Sequence, residues 1–130
     1  MTKLKILLDG IYFGEGPRWR DGYLWLSDFY AHEVLKVDPN GNRSHVATVS
    51  GQPSGLGWLP DGSLLIVSMK DRKLLQLADG TLSEYADMSS IPKWHCNDMV
   101  VSGNGRAYVG NFGYDHYSDC LLYTSDAADE

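Results

Sequence analysis

The chain has 130 residues, of which 43% are hydrophobic and 22% are charged. This composition is typical of one soluble globular domain and excludes fibrous and low-complexity proteins. The formal net charge is −6, from 11 basic and 17 acidic residues, and no basic stripe is present, so we exclude nucleic acid as a partner. No apolar run approaches the roughly 20 residues of a membrane-spanning helix, so we expect no membrane partner.

The N-terminus and the cysteines indicate a reducing compartment. The apolar stretch after Lys5 stops at Asp9, whereas a secretory leader has about 7–15 apolar residues at this point. Cys96 and Cys120 provide neither a disulfide framework nor a paired metal-binding spacing. We therefore expect a cytoplasmic protein.

Five turn dipeptides at regular intervals predict an all-β chain. Each is Asn-Gly or Asp-Gly, the strongest short hairpin signal, because both central residues of a type I′ turn have positive φ. The dipeptides lie at 21–22, 40–41, 61–62, 79–80 and 104–105. Short segments rich in β-forming residues separate them, and no window before residue 120 carries a helical period.

The hairpins group into a larger repeat, whose copies begin at Pro17, Gly55 and Asn97. Four short strands per unit of about 40–50 residues are the signature of a β-propeller blade. The predicted strands are 16–20, 23–28, 33–38 and 43–49 in the first blade, 55–59, 63–68, 73–78 and 82–86 in the second, and 97–102 and 107–111 in the third. The blades themselves span about 14–50, 51–90 and 95–119.

The last eleven residues, 120–130, read CLLYTSDAADE and show no strand alternation. They match the translation of a common transposase sequencing adapter, and we interpret them as non-native. The remaining two and a half blades are too few to close a ring, because propellers have about four to eight blades. We therefore expect residues 1–119 to be the N-terminal part of a single propeller domain, inactive on its own.

Three polar residues stand at equivalent positions where the chain enters the innermost strand of each blade. The core residues expected in the middle of those strands are Trp19, Trp58 and Val101. Four positions before them lie Glu15, Ser54 and Asn97. The innermost strands of a propeller line its central channel, so these side chains converge on one axis. Oxygen ligands from separate blades suit a hard cation such as Ca²⁺, Mg²⁺ or Mn²⁺.

Polar residues at these positions also have a simpler, structural interpretation, which is weakest for Glu15. Polar residues before a strand are common, and Ser54 follows Pro53 in a turn-like sequence. Glu15 is the sharper candidate, because it stands between Gly14 and Gly16. A glutamate at a buried channel mouth also needs a cation or a basic partner.

His95 and Cys96 immediately precede Asn97. Residues two apart in a strand share a face, so His95 is a candidate for the pocket wall; a loop histidine beside Trp94 is the alternative. Adjacent strand residues point to opposite faces, so we do not expect a Cys–His nucleophile pair. We expect Cys96 to be a small buried apolar residue.

Three segments carry a resemblance to a known family. They are GEGPRW at 14–19, SGLGWLPDGSLLIVSMKDRKLL at 54–75 and CNDMVVSGNGRAYVGNFGYD at 96–115. In order and spacing they resemble the first three blades of the senescence marker protein/gluconolactonase/luciferin-regenerating-enzyme-like family. The similarity covers about residues 10–115.

The resemblance implies a six-bladed propeller with one divalent cation in its channel and a small lactone or ester as substrate. Ca²⁺ is the cation we expect, with Mg²⁺, Mn²⁺ or Zn²⁺ as alternatives. It also implies that Glu15 is a metal ligand, that Asn97 contacts the substrate, and that an asparagine and an aspartate from later blades complete the site.

The sequence departs from the family at one candidate position. Sugar lactonases of the family often carry an arginine two residues before the asparagine, where this chain has His95. This difference speaks against a sugar lactone as the substrate but does not affect the metal site that the resemblance implies. Ser54 matches no functional residue of the family. The alternative functions are an organophosphatase-like activity and a non-catalytic binding propeller, because propellers host many unrelated functions.

Overall fold

The computed structural model describes residues 2–115 and 117. These residues form ten β-strands and contain no helix, and hence none that is long and apolar enough to cross a membrane. The strands are β1 (Gly14–Arg20), β2 (Tyr23–Asp28), β3 (Glu33–Val37), β4 (Arg43–Thr48), β5 (Pro53–Trp58), β6 (Leu64–Ser68), β7 (Lys73–Ala78), β8 (Thr81–Asp87), β9 (Cys96–Val101) and β10 (Ala107–Asn111). Residues 120–130, interpreted above as adapter-derived, lie outside the described residues.

Each sheet consists of antiparallel strands that follow one another in the chain. The first sheet has the order β1-β2-β3-β4, the second has β5-β6-β7-β8, and the third contains β9 and β10. The strand bounds lie within two residues of the predicted ones, and those of β2, β7 and β10 agree to the residue. The prediction of an all-β chain with four-stranded, blade-like units is confirmed.

The type I′ geometry expected at the five turns is found at two of them. Both residues have positive φ at 21–22 and 79–80, whereas only the glycine does at Gly41, Gly62 and Gly105. Gly41 and Gly62 each donate an N–H to the carbonyl three residues earlier. Pro39 and Pro60 occupy the second position of these turns, which is typical of a type I turn that has glycine at its fourth position.

Two apolar clusters fill the spaces between the three sheets, and β6 contributes to both. Successive side chains of a strand point to opposite faces. Accordingly, Leu64 and Ile66 pack toward the first sheet, and Leu65 and Val67 pack toward the third. All residues of β6 are therefore buried, which explains why its first four residues are all apolar. Removal of this apolar surface from water is the main force that holds the sheets together.

The opposite face of the first sheet carries a smaller cluster. Leu26, Leu35 and Val37 are covered there by Leu7, Leu8 and Ile11 of the N-terminal segment. Trp19 lies on this face, because it pairs directly with Leu24, and paired residues share a face.

The expectation that Trp19 is a core residue is wrong, since its side chain is 64% exposed. Its counterparts Trp58 and Val101 do pack against the clusters between the sheets. The difference arises because a full sheet covers each of those two residues, whereas only a short segment covers the face that bears Trp19.

Glycines bring the innermost strands β1, β5 and β9 into backbone contact. A Cβ on Gly16 would lie 2.8 Å from the carbonyl oxygen of Ser54, and a Cβ on Gly55 would lie 2.5 Å from the amide nitrogen of Met99. Gly16 also has a φ of 57°, which disfavours a side chain for conformational reasons. The two glycines therefore set the spacing of the strands that enter the channel.

We predict that Gly55→Ala destabilises the protein by about 1–3 kcal/mol, because the added methyl group forces β5 and β9 apart. Gly103→Ala is the matched control, since nothing lies within 4 Å of a Cβ at that position. Equilibrium unfolding in urea measures both. Equal midpoints for the two variants would contradict the proposed role of Gly55.

Candidate active site

A cavity of about 380 Å³ opens where the chain enters the innermost strands. It is lined by Gly14, Glu15, Gly16 and Pro17 of β1, Asn97 and Asp98 of β9, and Phe112 after β10. The structure thus brings two of the sequence-predicted residues, Glu15 and Asn97, to one cavity from separate sheets. β5 lies between β1 and β9. Beside the cavity it carries Gly55, so no side chain of β5 blocks the opening.

The Glu15 carboxylate is half-buried, and a neighbouring strand orients it. The hydroxyl of Ser54 donates to Oε2 of Glu15 at 2.6 Å. Ser54 is fully buried, and its carbonyl accepts a hydrogen bond from Oγ of Ser27 at 2.7 Å. The ion pairs formed within residues 2–115 and 117 do not include Glu15, so this acid borders the cavity without a basic partner from that part of the chain.

Ser54, predicted as a channel-lining residue, does not line the cavity itself. It contacts the site through Glu15, one of whose carboxylate oxygens it fixes by the hydrogen bond. The sequence placed Ser54 at the same position of the repeat as Glu15 but could not show that the two side chains would meet.

Asn97 occupies the second position of β9 and packs beside Gly110. A Cβ on Gly110 would lie only 2.7 Å from Oδ1 of Asn97, so the glycine leaves room for the amide. The nitrogen of a side-chain amide donates hydrogen bonds, which suits Asn97 to bind an oxygen of an ester or a lactone.

Arg18 connects all three innermost strands, a role that no sequence pattern predicts. Its Nε donates to the carbonyl of Leu56 on β5 at 3.1 Å. Its Nη2 donates to Oδ1 of Asp98 at 2.7 Å and to the carbonyl of Met99 at 2.9 Å, both on β9. Its Nη1 donates to the carbonyl of Pro17 at 3.0 Å. An arginine within a channel-lining strand was the only signal available in the sequence.

The structure places His95 beside Tyr117 and not in the lining of the cavity. The two rings meet edge to face at 5.3 Å, and the Tyr117 hydroxyl donates to Oε1 of Gln52 at 3.2 Å. Burial raises the pKa of Tyr117. β9 begins at Cys96 and its register with β10 is irregular there, so the two-residue alternation does not extend back to His95. A role of His95 in substrate binding stays a prediction.

Cys96 is buried, with 1% of its surface exposed, in the cluster between the second and third sheets. Burial raises the pKa of its thiol, which keeps it protonated and poorly nucleophilic near neutral pH. The prediction that Cys96 is a small buried apolar residue is confirmed.

The oxygen atoms at the cavity fit part of the coordination sphere of a hard cation. A carboxylate is a ligand type that Ca²⁺ accepts, and Glu15 supplies it, whereas Asn97 is the candidate for contact with the substrate. Within residues 2–115 and 117, no group of three or more His, Cys, Asp or Glu side chains could hold a metal ion. Further ligands for a cation at this cavity would have to come from elsewhere.

A family model for the SMP-30/Gluconolactonase/LRE-like region matches residues 13–128. The chain belongs to this family. The resemblance inferred from the three motifs is thereby confirmed, and the matched range includes both Glu15 and Asn97. A search of curated proteins gave no match.

A solved gluconolactonase structure shows the same fold. This protein, a gluconolactonase from Xanthomonas campestris that is described as important in glucose secondary metabolic pathways, superposes with a TM-score of 0.69 at 21% sequence identity. The match covers 82% of the present chain and 38% of the gluconolactonase chain. The present chain thus corresponds to less than two-fifths of that protein, and the likeness supports the propeller architecture.

We predict that Ser54→Ala lowers the free energy of unfolding by about 1–3 kcal/mol, because it removes a buried hydrogen bond to a carboxylate. Ser68→Ala is the matched control. Ser68 is equally buried, but its hydroxyl has no hydrogen-bond partner in the described part of the chain, so its removal should cost nothing. Thermal and urea unfolding of the two variants measure the difference. A loss of stability in Ser68→Ala as large as that in Ser54→Ala would contradict this assignment.

Proposed function

We propose that the chain is part of a metal-dependent hydrolase of small lactones or esters, with its active site at the cavity between β1 and β9. One observation carries the proposal: an acid without a basic partner from the described residues, Glu15, and an amide, Asn97, reach one cavity from separate sheets. Membership of a family that includes gluconolactonases supports it. Ca²⁺ is the proposed cation, and a cytoplasmic location is part of the proposal.

Three residues of this chain have distinct parts in the proposed reaction. When bound, a divalent cation polarises the lactone carbonyl and makes a bound water more acidic. Glu15 would hold that cation through its carboxylate, whose orientation is fixed by Ser54. Asn97 would orient the substrate, by donating from its amide nitrogen to one ester oxygen.

We further propose that the natural sequence continues beyond residue 119 and completes a six-bladed ring. Val100 is 60% exposed and Tyr108 is 57% exposed, and the two are paired on the face of the third sheet that points away from the second. A further sheet would bury this apolar pair as the second sheet buries Val101. The length of the matched gluconolactonase supports the same proposal.

The proposal predicts that Glu15→Gln abolishes metal-dependent hydrolysis. The complete reading frame would be recovered by amplification past the codon for Asp119, and gluconolactone hydrolysis would be followed by proton release with Ca²⁺ and with a chelator. We expect kcat/KM to fall by about 100-fold or more, because a neutral amide replaces the charged ligand. Glu84→Gln is the control, since Glu84 lies on β8 and binds Lys73 at 2.7 Å, away from the cavity.

The outcomes separate the candidate functions. Hydrolysis that is unchanged in Glu15→Gln would place the chemistry elsewhere. A complete protein that binds small molecules without turnover would be a binding propeller. Turnover of phosphotriesters in place of lactones would indicate an organophosphatase-like enzyme.

A further inference from the structure

The guanidinium of Arg18 bridges the two walls of the candidate active site. Two of its acceptors belong to residues that line the cavity from opposite sides, the carbonyl of Pro17 on β1 and the carboxylate of Asp98 on β9. Asp98 follows Asn97 directly in the chain, and Pro17 stands two residues after Glu15. The side chain is therefore bonded close to both predicted functional residues without touching either.

The hydrogen bonds of Arg18 require the shape of a guanidinium. All three of its nitrogens donate, to acceptors on three different strands. A guanidinium holds its five N–H groups in a fixed planar fork, whereas a lysine presents a single ammonium at the end of a flexible stem. A lysine could keep the charge pair with Asp98 but could not reach the carbonyls on β1, β5 and β9 together.

Arg20 provides a contrast on the same strand. It lies two residues further along β1 and thus on the same face. Its guanidinium lies 4.9 Å from the Trp58 ring centroid and pairs with the exposed Asp21 at 3.3 Å. Arg20 therefore shares the charge, strand and orientation of Arg18 but does not link β1 to β9.

We propose that Arg18 is a positioning residue that fixes the Asn97 amide relative to Glu15 and so sets the affinity for substrate. The expected effect on KM rests on the proposed function, whereas the positioning of Asn97 does not. Displacement of a binding group weakens its hydrogen bond to the substrate, because hydrogen bonds weaken steeply with poor geometry, and so lowers the affinity. Glu15 keeps its own hydrogen bond to Ser54 when Arg18 is replaced, so metal binding should persist.

The test compares Arg18→Lys with Arg20→Lys in the complete protein. We expect Arg18→Lys to raise KM for gluconolactone by about tenfold with a smaller change in kcat and an unchanged Ca²⁺ affinity by calorimetry. Arg20→Lys should leave all three quantities as in the wild type. Equal KM values for Arg18→Lys and the wild type would overturn the inference. A rise in KM accompanied by losses of Ca²⁺ affinity and melting temperature would overturn it as well.

A second measurement does not depend on turnover. The side-chain amide signals of Asn97 in ¹⁵N-correlated NMR spectra, assigned by comparison with Asn97→Asp, should shift in Arg18→Lys and stay in place in Arg20→Lys. Unshifted signals in Arg18→Lys would overturn the inference. If the wild type hydrolyses no lactone, the proposed function fails, and this comparison still decides the role of Arg18.

A chemical rescue covers the case in which Arg18→Lys does not fold. Arg18→Ala leaves space at a site where 30% of the arginine side chain is exposed, so a small cation can enter. Methylguanidinium should restore both the fold and the Asn97 signals, whereas methylammonium at the same concentration should not. Equal rescue by the two cations would show that charge alone matters and would overturn the inference.

Discussion

The close backbone contact between the innermost strands is the constraint on which the rest of the structure depends. A Cβ on Gly16 would collide with the Ser54 carbonyl and one on Gly55 with the Met99 amide, so β1, β5 and β9 lie closer together than strands with side chains at these positions could. At this spacing the short hydroxyl of Ser54 reaches the Glu15 carboxylate on the adjacent sheet. The same close spacing brings the three strands within the span of one arginine side chain.

The candidate site and the apolar core are two sides of the same strands. In β9, Asn97 lines the cavity while its neighbour Cys96 is buried between the second and third sheets. In β2, Ser27 supports Ser54 while its neighbour Leu26 packs under the N-terminal segment. Because side chains alternate along a strand, the packing of one set of residues fixes the direction of the other. This preorganisation is what a binding site on rigid elements requires.

The sequence predicted the strands and the shared position of Glu15 and Asn97, because turn residues and strand periodicity are local signals. It could not predict the exposure of Trp19, since that depends on how much of the first sheet its neighbour covers. The rule that residues two apart in a strand share a face does not apply to His95, because β9 begins after that residue with an irregular register. Arg18 was not recognised because its acceptors lie up to 81 residues away, and no local pattern encodes such a contact.

The chain-order arrangement of strands within each sheet has a consequence for how the protein folds. Neighbouring strands are consecutive in sequence, so each sheet closes only short loops, and short loops favour rapid formation. The first sheet can form on the ribosome before the third has been synthesised, since translation is slow relative to local folding. The Arg18–Asp98 pair spans 80 residues and must wait for the third sheet. The cavity is therefore assembled late, by contacts between sheets that have already formed.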